Sequence, residues 1–334
     1  MPEKFLVIGS NSFSGSHFIK KVLDTGYEVI GISRSKQPLD IFLPYKWESY
    51  HHLSSSFSFR QLDLNKNLTE IIDIVNSYKP SYIINFASQG MVAESWLNPT
   101  HWYKTNIISQ VALHDELRKK NFIKKYIHVT TPEVYGNTKG NWINESSEFN
   151  PTTPYAVSRA ACDMHLMSFF KAYDFPVVFT RAANVYGPGQ QLYRIIPITI
   201  LSAFSGKKIN LHGGGKSIRS FIHIYDVVEA TLQLAIEAKP GSTWHLSTKE
   251  SISIKNLVIK ICELCNTNFE NVINISSDRL GKDMTYLLDS KAIRDEYGWS
   301  DTISLDIGIK ETIEWVKNNF EVLSKLSWKY EHKL

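Results

Sequence analysis

Short apolar runs recur along the chain and alternate with segments of helical periodicity. Seven runs are rich in valine and isoleucine and mostly continuous in apolarity, which is typical of strands buried on both faces of a parallel sheet. The predicted strands are 4–9, 28–33, 58–63, 81–87, 125–130, 176–182 and 242–247. Because helical stretches separate most of them, we predict an α/β fold with a doubly wound parallel sheet.

The chain changes character after the sixth predicted strand. Loops rich in glycine and arginine, such as YGPGQQLYRIIP and LHGGGKSIRSFIH, replace the regular alternation. We therefore expect a larger sheet domain over 1–184, joined by about 222–247, which returns to the sheet. A smaller C-terminal lobe that binds substrate is expected over about 185–221 and 248–334.

The segment GSNSFSGSHF begins where the first predicted strand ends. It places Gly9, Ser12 and Gly15 at intervals of three residues, with Phe13 between them. Small side chains at a strand-to-helix turn let backbone N–H groups approach a pyrophosphate. Since a helix and a second strand follow, the segment predicts a Rossmann-type dinucleotide site in which serine replaces the usual middle glycine.

The end of the second predicted strand bears on which dinucleotide binds. A carboxylate there holds the ribose 2′-hydroxyl of NAD, whereas an arginine accommodates the 2′-phosphate of NADP. The chain has Ser33 and Arg34 at this place and no carboxylate. We predict NADP, with NAD as the alternative; a solvated basic loop is the competing interpretation.

Ligands of such sheets gather at the carboxyl ends of the strands. Asp63 and Leu64 follow the third predicted strand, and Ala87, Ser88 and Gln89 follow the fourth. We therefore assign these residues to the cofactor site.

Polar residues also follow the fifth and sixth strands, namely Thr131, Glu133 and Asn184. Downstream of Thr131 and Glu133, Tyr155 begins the helical segment YAVSR, and Arg159 lies four residues later on the same helical face. A lone Tyr–Arg pair is usually a surface pair. Its position directly after NPTTP, with polar strand ends nearby, makes it a candidate reacting centre.

Together these motifs resemble the extended short-chain dehydrogenase/reductases, specifically the NAD(P)-dependent nucleotide-sugar epimerase/dehydratase family. They are most similar to nucleoside-diphosphate-sugar 4,6-dehydratases of the dTDP-glucose and GDP-mannose types. The resemblance covers nearly the whole chain. It rests on GSNSFSG, NFASQGMVAES, TTPEVYG, NPTTPYAVSRA, TRAANVYGPGQ, GGGKSIRSFIHIYDV and DRLGKDMTYLLD.

The resemblance implies a role for each residue of the candidate centre. Tyr155 is the general base that takes the sugar O4 proton, Thr131 hydrogen-bonds O4, and Glu133 removes the C5 proton of the 4-keto sugar. Arg159 stands where the family has lysine and, with Tyr155, also contacts the cofactor. For the substrate, the resemblance implies phosphate contacts from Asn184, Arg219 and Arg279, and Arg194 is a further candidate.

Two departures from the family pattern affect the expected chemistry. Arg159 cannot lose a proton, but its fixed charge is expected to favour the Tyr155 phenolate, which needs a depression of ~3 pKa units near pH 7. Pro132 replaces the aspartate that protonates the departing C6 hydroxyl in dTDP-glucose dehydratases. We expect Glu133 to act there first as base and then as acid.

The expected reaction is therefore a nucleotide-sugar 4,6-dehydration, an NAD(P)-dependent lyase reaction that gives a 4-keto-6-deoxy sugar nucleotide. A 4-epimerase and a 4-dehydrogenase or reductase are the alternatives. A non-catalytic protein that only binds the nucleotide sugar is the rival from a different class. The survival of Glu133 beside Pro132 favours dehydration, since an epimerase needs no carboxylate there.

Composition limits which partners, membrane contacts and metals are expected. The net charge of the 334 residues is +4 without a basic block, so nucleic acid is not indicated as a partner. No apolar run approaches the ~20 residues of a membrane span, and no signal-peptide core is present, so we expect a cytoplasmic protein without membrane contact. The Cys262–Cys265 pair lacks the partners of a zinc or redox site, and no metal is expected.

The predicted helix PYAVSRAACDMHLMSFFKAY carries apolar residues on more than one face. One face must pack on the sheet, and we expect another to pair with a second copy, which gives a homodimer. The apolar residues are Ala156, Ala160, Leu166, Met167, Phe169 and Phe170.

Overall fold

The computed structural model describes residues 3–47, 56–277 and 283–333. The strands of these ranges are β1 Lys4–Ile8, β2 Glu28–Ser33, β3 Phe57–Gln61, β4 Tyr82–Asn85, β5 Lys125–Val129, β6 Trp142–Ile143, β7 Val177–Ala182, β8 Asn184–Tyr186, β9 Ile209–His212, β10 Ile218–Arg219, β11 Phe221–His223, β12 Thr243–Leu246, β13 Ile252–Ser253, β14 Ile273–Ser276 and β15 Thr285–Leu288. The helices are α1 Phe13–Asp24, α2 Leu68–Tyr78, α3 Pro99–Tyr103, α4 Ser109–Leu117, α5 Pro154–Tyr173, α6 Ile195–Ser205, α7 Ile224–Glu237, α8 Ile254–Leu264, α9 Phe269–Val272, α10 Lys291–Tyr297, α11 Leu305–Asn318 and α12 Phe320–Leu323.

All seven predicted strands lie in one sheet of order β12-β7-β5-β4-β1-β2-β3. Every neighbouring pair in it is parallel. The chain winds outward from β1 to β3, crosses back to β4 and then continues to β12, so the strand order reverses between β1 and β4. The predicted Rossmann-type α/β fold is therefore confirmed.

The continuous apolarity of the strands follows from burial on both faces. In β1, Phe5 and Val7 pack into a core with α1 and α7 on one face of the sheet. Leu6 and Ile8 point the other way, into a core with α2, α4 and α5. Because successive side chains of β1 alternate between two buried faces, its residues from Phe5 to Ile8 are all apolar.

The segments of the expected smaller lobe supply most of a further apolar core, against which Ile41, Phe42 and Trp47 also pack. Helices α6, α8 and α11 enclose it, and small sheets with strand orders β13-β10-β15-β6 and β14-β9 flank it. The chain returns to the large sheet through α7, which packs on α1, and through β12, which pairs with β7. No described helix is long and apolar enough to cross a membrane.

The chain itself covers most of the surface of helix α5. Of the six apolar residues named from the sequence, Ala156, Ala160 and Leu166 are buried inside the chain. The other three, Met167, Phe169 and Phe170, pack on the core beside α2 and α4. α5 presents Val157 and Met164 to solvent instead, because the sheet, α3 and α4 together enclose most of its circumference.

Candidate active site

The glycine turn after β1 leaves no room for larger side chains. Gly9 has φ +84°, and a Cβ there would lie 2.7 Å from the backbone nitrogen of Ala87. A Cβ at Gly15 would lie 2.3 Å from the Gly9 carbonyl oxygen. The turn therefore forms a bare backbone cradle at the amino end of α1, which fits the diphosphate of a dinucleotide.

Ser12 has a structural reason to replace the middle glycine. Its Oγ accepts a hydrogen bond from Gly15 N at 3.0 Å and donates one to the Gly9 carbonyl at 2.7 Å. The side chain is thus the N-cap of α1 and ties the two ends of the turn together. The serine keeps the cradle in shape, as a glycine with no side chain could not.

A cavity of about 670 Å³ opens over this turn. The residues assigned to the cofactor that line it are Gly9, Ser12, Phe13, Ser33, Arg34, Asp63, Leu64, Ala87 and Ser88. Gln89 is 2% exposed and is not among the lining residues. Its N–H donates to Asn106 Oδ1 at 2.8 Å, and its carbonyl accepts from Asn106 Nδ2 at 3.0 Å. Through these two hydrogen bonds Gln89 holds the loop after β4 in place without lining the cavity.

A second cavity of about 990 Å³ adjoins the first and contains the candidate reacting centre. Ser12, Phe13 and Ser88 line both cavities, so the two spaces meet beside the glycine turn. The second cavity is also lined by Thr131, Glu133, Tyr155 and Arg159. The structure thus brings the four predicted catalytic residues to one space.

Glu133 and Thr131 lie on the same side of the chain after β5. The Thr131 hydroxyl donates a hydrogen bond to Glu133 Oε2. Thr131 also hydrogen-bonds Tyr155, which follows the N-cap Thr153 and the first-turn Pro154 of α5. A hydroxyl, a carboxyl and a phenol therefore converge on the second cavity from two elements.

The pKa of Tyr155 corrects one expectation from the sequence. Burial raises this pKa above its ordinary value, and the nearby Glu133 carboxylate raises it further. Arg159 lowers it, but not enough to reverse the shift. Arg159 alone therefore does not make Tyr155 a phenolate at neutral pH, because burial disfavours the charged form.

Burial also raises the pKa of Glu133 above the ordinary carboxyl value. Arg219 and Arg194 oppose this shift, and the Asp283 carboxylate adds to it. A carboxyl group with a raised pKa exchanges its proton closer to neutral pH, which suits a group that must both take and give a proton.

Arg159 is 2% exposed, and the hydrogen bonds of its guanidinium involve NH2 alone among the described residues. Its NH2 donates to the Val129 carbonyl and lies 3.3 Å from His128 Nε2. Nε and NH1 have no hydrogen-bond partner among the described residues. The structure thus leaves two buried donors on a residue that lines the cavity, where ribose hydroxyls could accept from them.

The predicted substrate residues have different roles in holding the second cavity together. Arg219 donates to the backbone carbonyls of Ile218, Asp283 and Met284 at 2.7–3.0 Å, and its guanidinium lies 4.0 Å from the centre of the Tyr286 ring. Arg219 thus forms part of the wall of the second cavity, and Asn184 is connected to the same wall through Tyr286.

Asn184 Oδ1 accepts from the Tyr286 hydroxyl at 3.1 Å. Asn184 and Arg194 both line the cavity, as Arg219 does. Arg279 lies outside the described residues.

Several residues around the two cavities were missed by sequence reasoning. Asn106 bonds both Gln89 and Ser158 Oγ, so it links the loop after β4 to the first turns of α5. It lies in a π-helical turn, Lys104–Ile108, and such turns are frequent at functional sites. Lys207 and Lys208 add positive charge to the second cavity.

The segment 326–333 was also missed, although it lines the first cavity. The alternation of large and polar residues in LSWKYEHK could have indicated this segment from the sequence. Such alternation is typical of an extended chain with one face against the protein.

Comparisons with known proteins agree with this geometry. Residues 6–312 match the family described as GDP-mannose 4,6 dehydratase. The human dTDP-D-glucose 4,6-dehydratase is 30% identical over 339 residues, which cover 99% of this chain and 93% of the human protein.

A trifunctional protein of Arabidopsis thaliana is 29% identical over 331 residues. It is named as a UDP-glucose 4,6-dehydratase, UDP-4-keto-6-deoxy-D-glucose 3,5-epimerase and UDP-4-keto-L-rhamnose reductase. The match covers 96% of this chain and 48% of that protein, so the chain spans about half the length of this relative.

Solved structures with the same fold include both kinds of enzyme. The dTDP-glucose 4,6-dehydratase of Bacillus anthracis, in complex with NAD, superposes with a TM-score of 0.85 at 25% identity and covers 96% of this chain and 98% of its own. A UDP-glucose 4-epimerase of Thermotoga maritima with UDP-glucose also gives 0.85 at 25% identity, covering 95% and 99%. The fold therefore does not separate dehydration from epimerisation. The family match and the human relative, by contrast, show that this chain belongs to the GDP-mannose 4,6 dehydratase family, within the nucleotide-sugar short-chain dehydrogenase/reductases that its motifs resemble.

Proposed function

We propose that the protein is a nucleotide-sugar 4,6-dehydratase that uses a bound nicotinamide dinucleotide. The observation that carries the proposal is the Glu133 carboxyl beside Thr131 and Tyr155 in one cavity. An epimerase or a dehydrogenase needs a tyrosine and a threonine there, but it has no step for a carboxyl group. The cradle at Gly9 and Gly15 fits the dinucleotide.

A nicotinamide dinucleotide, when bound, supplies the hydride acceptor for C4 and the hydride donor for C6. Tyr155, as the phenolate, takes the O4 proton; because burial raises its pKa, the positive charge of a bound oxidised nicotinamide would have to add to that of Arg159 to ionise it. The Thr131 hydroxyl holds the oxygen at which charge develops. Once C4 is a ketone, the C5 proton becomes acidic and Glu133 removes it. Glu133 then gives that proton to the C6 oxygen as the C6–O bond breaks and water leaves, since Pro132 offers no acid. When hydride returns to C6, C5 takes a new proton from solvent.

The charge around the second cavity supports a nucleoside-diphosphate sugar as substrate. The cations that line this cavity include Arg194, Arg219, Lys207 and Lys208, which belong to the chain segment that follows β8. Guanidinium and ammonium groups bind phosphate oxygens through charge-assisted hydrogen bonds. A diphosphate bound there would leave the sugar free to reach toward Glu133.

We infer NADP rather than NAD as the preferred cofactor. Arg34 and Lys36 both line the first cavity near the end of β2, and β2 ends without a carboxylate that would exclude a 2′-phosphate. The Bacillus anthracis dTDP-glucose 4,6-dehydratase is in complex with NAD, so NAD is the alternative. Release of the cofactor from denatured protein, followed by mass spectrometry, identifies it.

We also propose a homodimer and a cytoplasmic location. Exposed apolar side chains lie close in sequence to α3 and on α5, namely Trp96, Leu97, Ile108, Val157 and Met164. These segments pack against one another, so a second copy would cover a shared apolar surface.

The test of the reaction is incubation of the purified protein with several nucleoside-diphosphate glucose and mannose compounds. We expect loss of one water by mass spectrometry and the near-ultraviolet absorbance that 4-keto-6-deoxy sugars develop in alkali. A product of unchanged mass with inverted C4 would identify an epimerase. Conversion that needs a stoichiometric supply of cofactor would identify a dehydrogenase, and no product from any compound would favour a binding protein.

A further inference from the structure

Residues 326–333 follow α12 without regular secondary structure, and their side chains alternate in burial. Leu326, Trp328, Tyr330 and His332 are half-buried, whereas the residues between them are exposed. A period of two is that of an extended chain with one face against the protein. The segment is therefore fitted to the surface it crosses.

The segment begins on the smaller lobe. Leu326 and Trp328 pack on the lobe core, and Trp328 Nε1 donates to the Leu323 carbonyl at 3.1 Å. Tyr330 then meets Tyr193 edge to face, with ring centres 5.4 Å apart. Tyr193 lines both cavities, so the segment crosses the place where they join.

The segment ends on the sheet domain, where His332 packs on α3. Its ring lies nearly parallel to the ring of Trp102 at 5.0 Å between centres, and Trp102 is completely buried. His332 Nε2 is 2.9 Å from His101 Nδ1, so both contacts are with α3. The segment thus bridges the lobe and the large domain across the opening of the first cavity.

The carbonyl of Lys333 joins two cofactor-assigned side chains. It accepts from Arg34 NH1 at 3.1 Å and from Gln89 Nε2 at 2.8 Å. Arg34 follows β2 and Gln89 follows β4, and these strands flank β1 in the sheet. One carbonyl therefore connects the chain after β2 with the chain after β4, on either side of the glycine turn that follows β1.

The segment forms a wall and leaves the space beneath it open. Lys329, Tyr330 and Lys333 line the same cavity of about 670 Å³ as Gly9 and Ser12 do. Lys329 also lines the second cavity, so its ammonium group is placed between the two spaces. A dinucleotide in this cavity would be enclosed from outside by the segment.

We propose that residues 326–333 are a strap that closes the first cavity and retains the dinucleotide between turnovers. The proposal rests on the proposed function for the identity of the occupant. A 4,6-dehydration takes a hydride from C4 and returns it to C6, so loss of the cofactor before the return leaves the sugar oxidised. Retention of the cofactor is thus a requirement of the reaction, and the strap supplies it.

The experiment measures cofactor release in the absence of any sugar. Wild-type protein is loaded with NADPH or NADH, whichever it binds more tightly, and release into excess oxidised cofactor is followed by nicotinamide fluorescence in a stopped-flow instrument. The variants are Tyr330→Ala, His332→Ala and a chain shortened to end at Lys325. Lys325→Ala is the matched control, because Lys325 pairs with Glu321 on the surface and lines neither cavity.

We expect release at least about tenfold faster from Tyr330→Ala, His332→Ala and the shortened chain, which corresponds to about 1.4 kcal/mol in the dissociation barrier. The control should release the cofactor at the wild-type rate. Wild-type rates in the folded substitution variants, checked by circular dichroism, would overturn the strap even if the shortened chain fails to fold. Slower release from them would also overturn it, because the segment would then compete with the cofactor.

The outcomes separate the strap from the proposed function. If the wild type binds the dinucleotide and turns over no sugar nucleotide, the reaction fails and the strap is still judged by its release rates. If the wild type takes up no nicotinamide dinucleotide at all, both proposals are wrong.

Discussion

Replacement of Glu133 by glutamine should separate oxidation at C4 from elimination of water. Glutamine keeps the size of the side chain and an oxygen that can accept the Thr131 hydroxyl, but it cannot take a proton. Tyr155 and Thr131 remain in place for the oxidation. We therefore expect reduced cofactor to form with the sugar nucleotide, without loss of water.

The size of the effect follows from the roles assigned to one carboxyl group. A positioned acid or base contributes about 10²–10⁴ in rate, or roughly 3–5 kcal/mol of barrier. If Glu133 serves as base and then as acid, as proposed, the variant should lose elimination by at least this much. Oxidation should change far less, since Glu133 raises the pKa of Tyr155 and its neutral replacement removes that effect.

Stability should not fall with activity. Burial raises the pKa of Glu133 in the folded protein. A carboxyl group with a raised folded pKa costs stability once the pH exceeds its unfolded value, and the cost grows until the pH passes the folded value. At neutral pH the glutamine variant should therefore be as stable as the wild type or more stable.

The pH dependence has the same origin. Glu133 must be ionised to take the C5 proton, so the wild-type elimination rate should rise with pH through a midpoint above the ordinary carboxyl value of about 4.3. This rise of the rate with pH should persist when substrate and cofactor are bound, because Glu133 lies inside the cavity. A limb at the ordinary carboxyl pKa would contradict the assignment.

The assay combines three readouts on one sample: absorbance of reduced cofactor, deuterium incorporation at C5 in heavy water, and loss of water by mass. The matched control is Glu145→Gln. Glu145 is also a half-buried glutamate whose pKa burial raises, and it accepts from His245 N at 2.9 Å, but it lines neither cavity. Its variant should retain elimination.

The reasoning is refuted if Glu133→Gln makes the 4-keto-6-deoxy product at near the wild-type rate. Among the described residues that line the second cavity, the carboxylates belong to Glu133 and Asp283. Loss of elimination in Asp283→Asn, with retention in Glu133→Gln, would move the base to Asp283.

Three other predictions concern the cofactor, the turn and the assembly. Arg34→Asp should weaken NADP binding much more than NAD binding in fluorescence titrations, and an equal loss of both would contradict a contact with the 2′-phosphate. Ser12→Ala should lower the free energy of unfolding by about 1 kcal/mol in urea, because α1 loses its cap; an unchanged value would show that the cap contributes nothing. Met164→Glu should give a monomer in sedimentation velocity while Ile236→Glu, on exposed α7 surface, should not; a monomeric wild type at micromolar concentration would exclude the dimer.

The sequence determined the sheet because its signal is local. Each central strand is a short apolar run, and each helix between strands shows its own periodicity, so all seven strands were found within about two residues of their bounds. The carboxyl-end rule then placed Thr131, Glu133 and Asn184 near one another without any knowledge of distances. The rule works because parallel strands end on the same edge.

Only the tertiary structure decided the direction of the pKa shifts at the carboxyl edge of the sheet. Arg159 was expected to favour the Tyr155 phenolate, yet burial raises the pKa of Tyr155, and burial depends on every element that packs around α5. Packing likewise decided which apolar residues of α5 the chain itself covers, such as Ala160 and Leu166, and which it leaves exposed, such as Met164.

Long-range contacts were equally invisible in the sequence. The role of Ser12 could be read from a three-residue spacing, whereas the contact of Arg34 with the Lys333 carbonyl joins residues almost a whole chain apart. Propensity and periodicity act over a few neighbouring residues. Which segment closes a cavity depends instead on where the fold brings the chain back, and only the packing of the two lobes decides that.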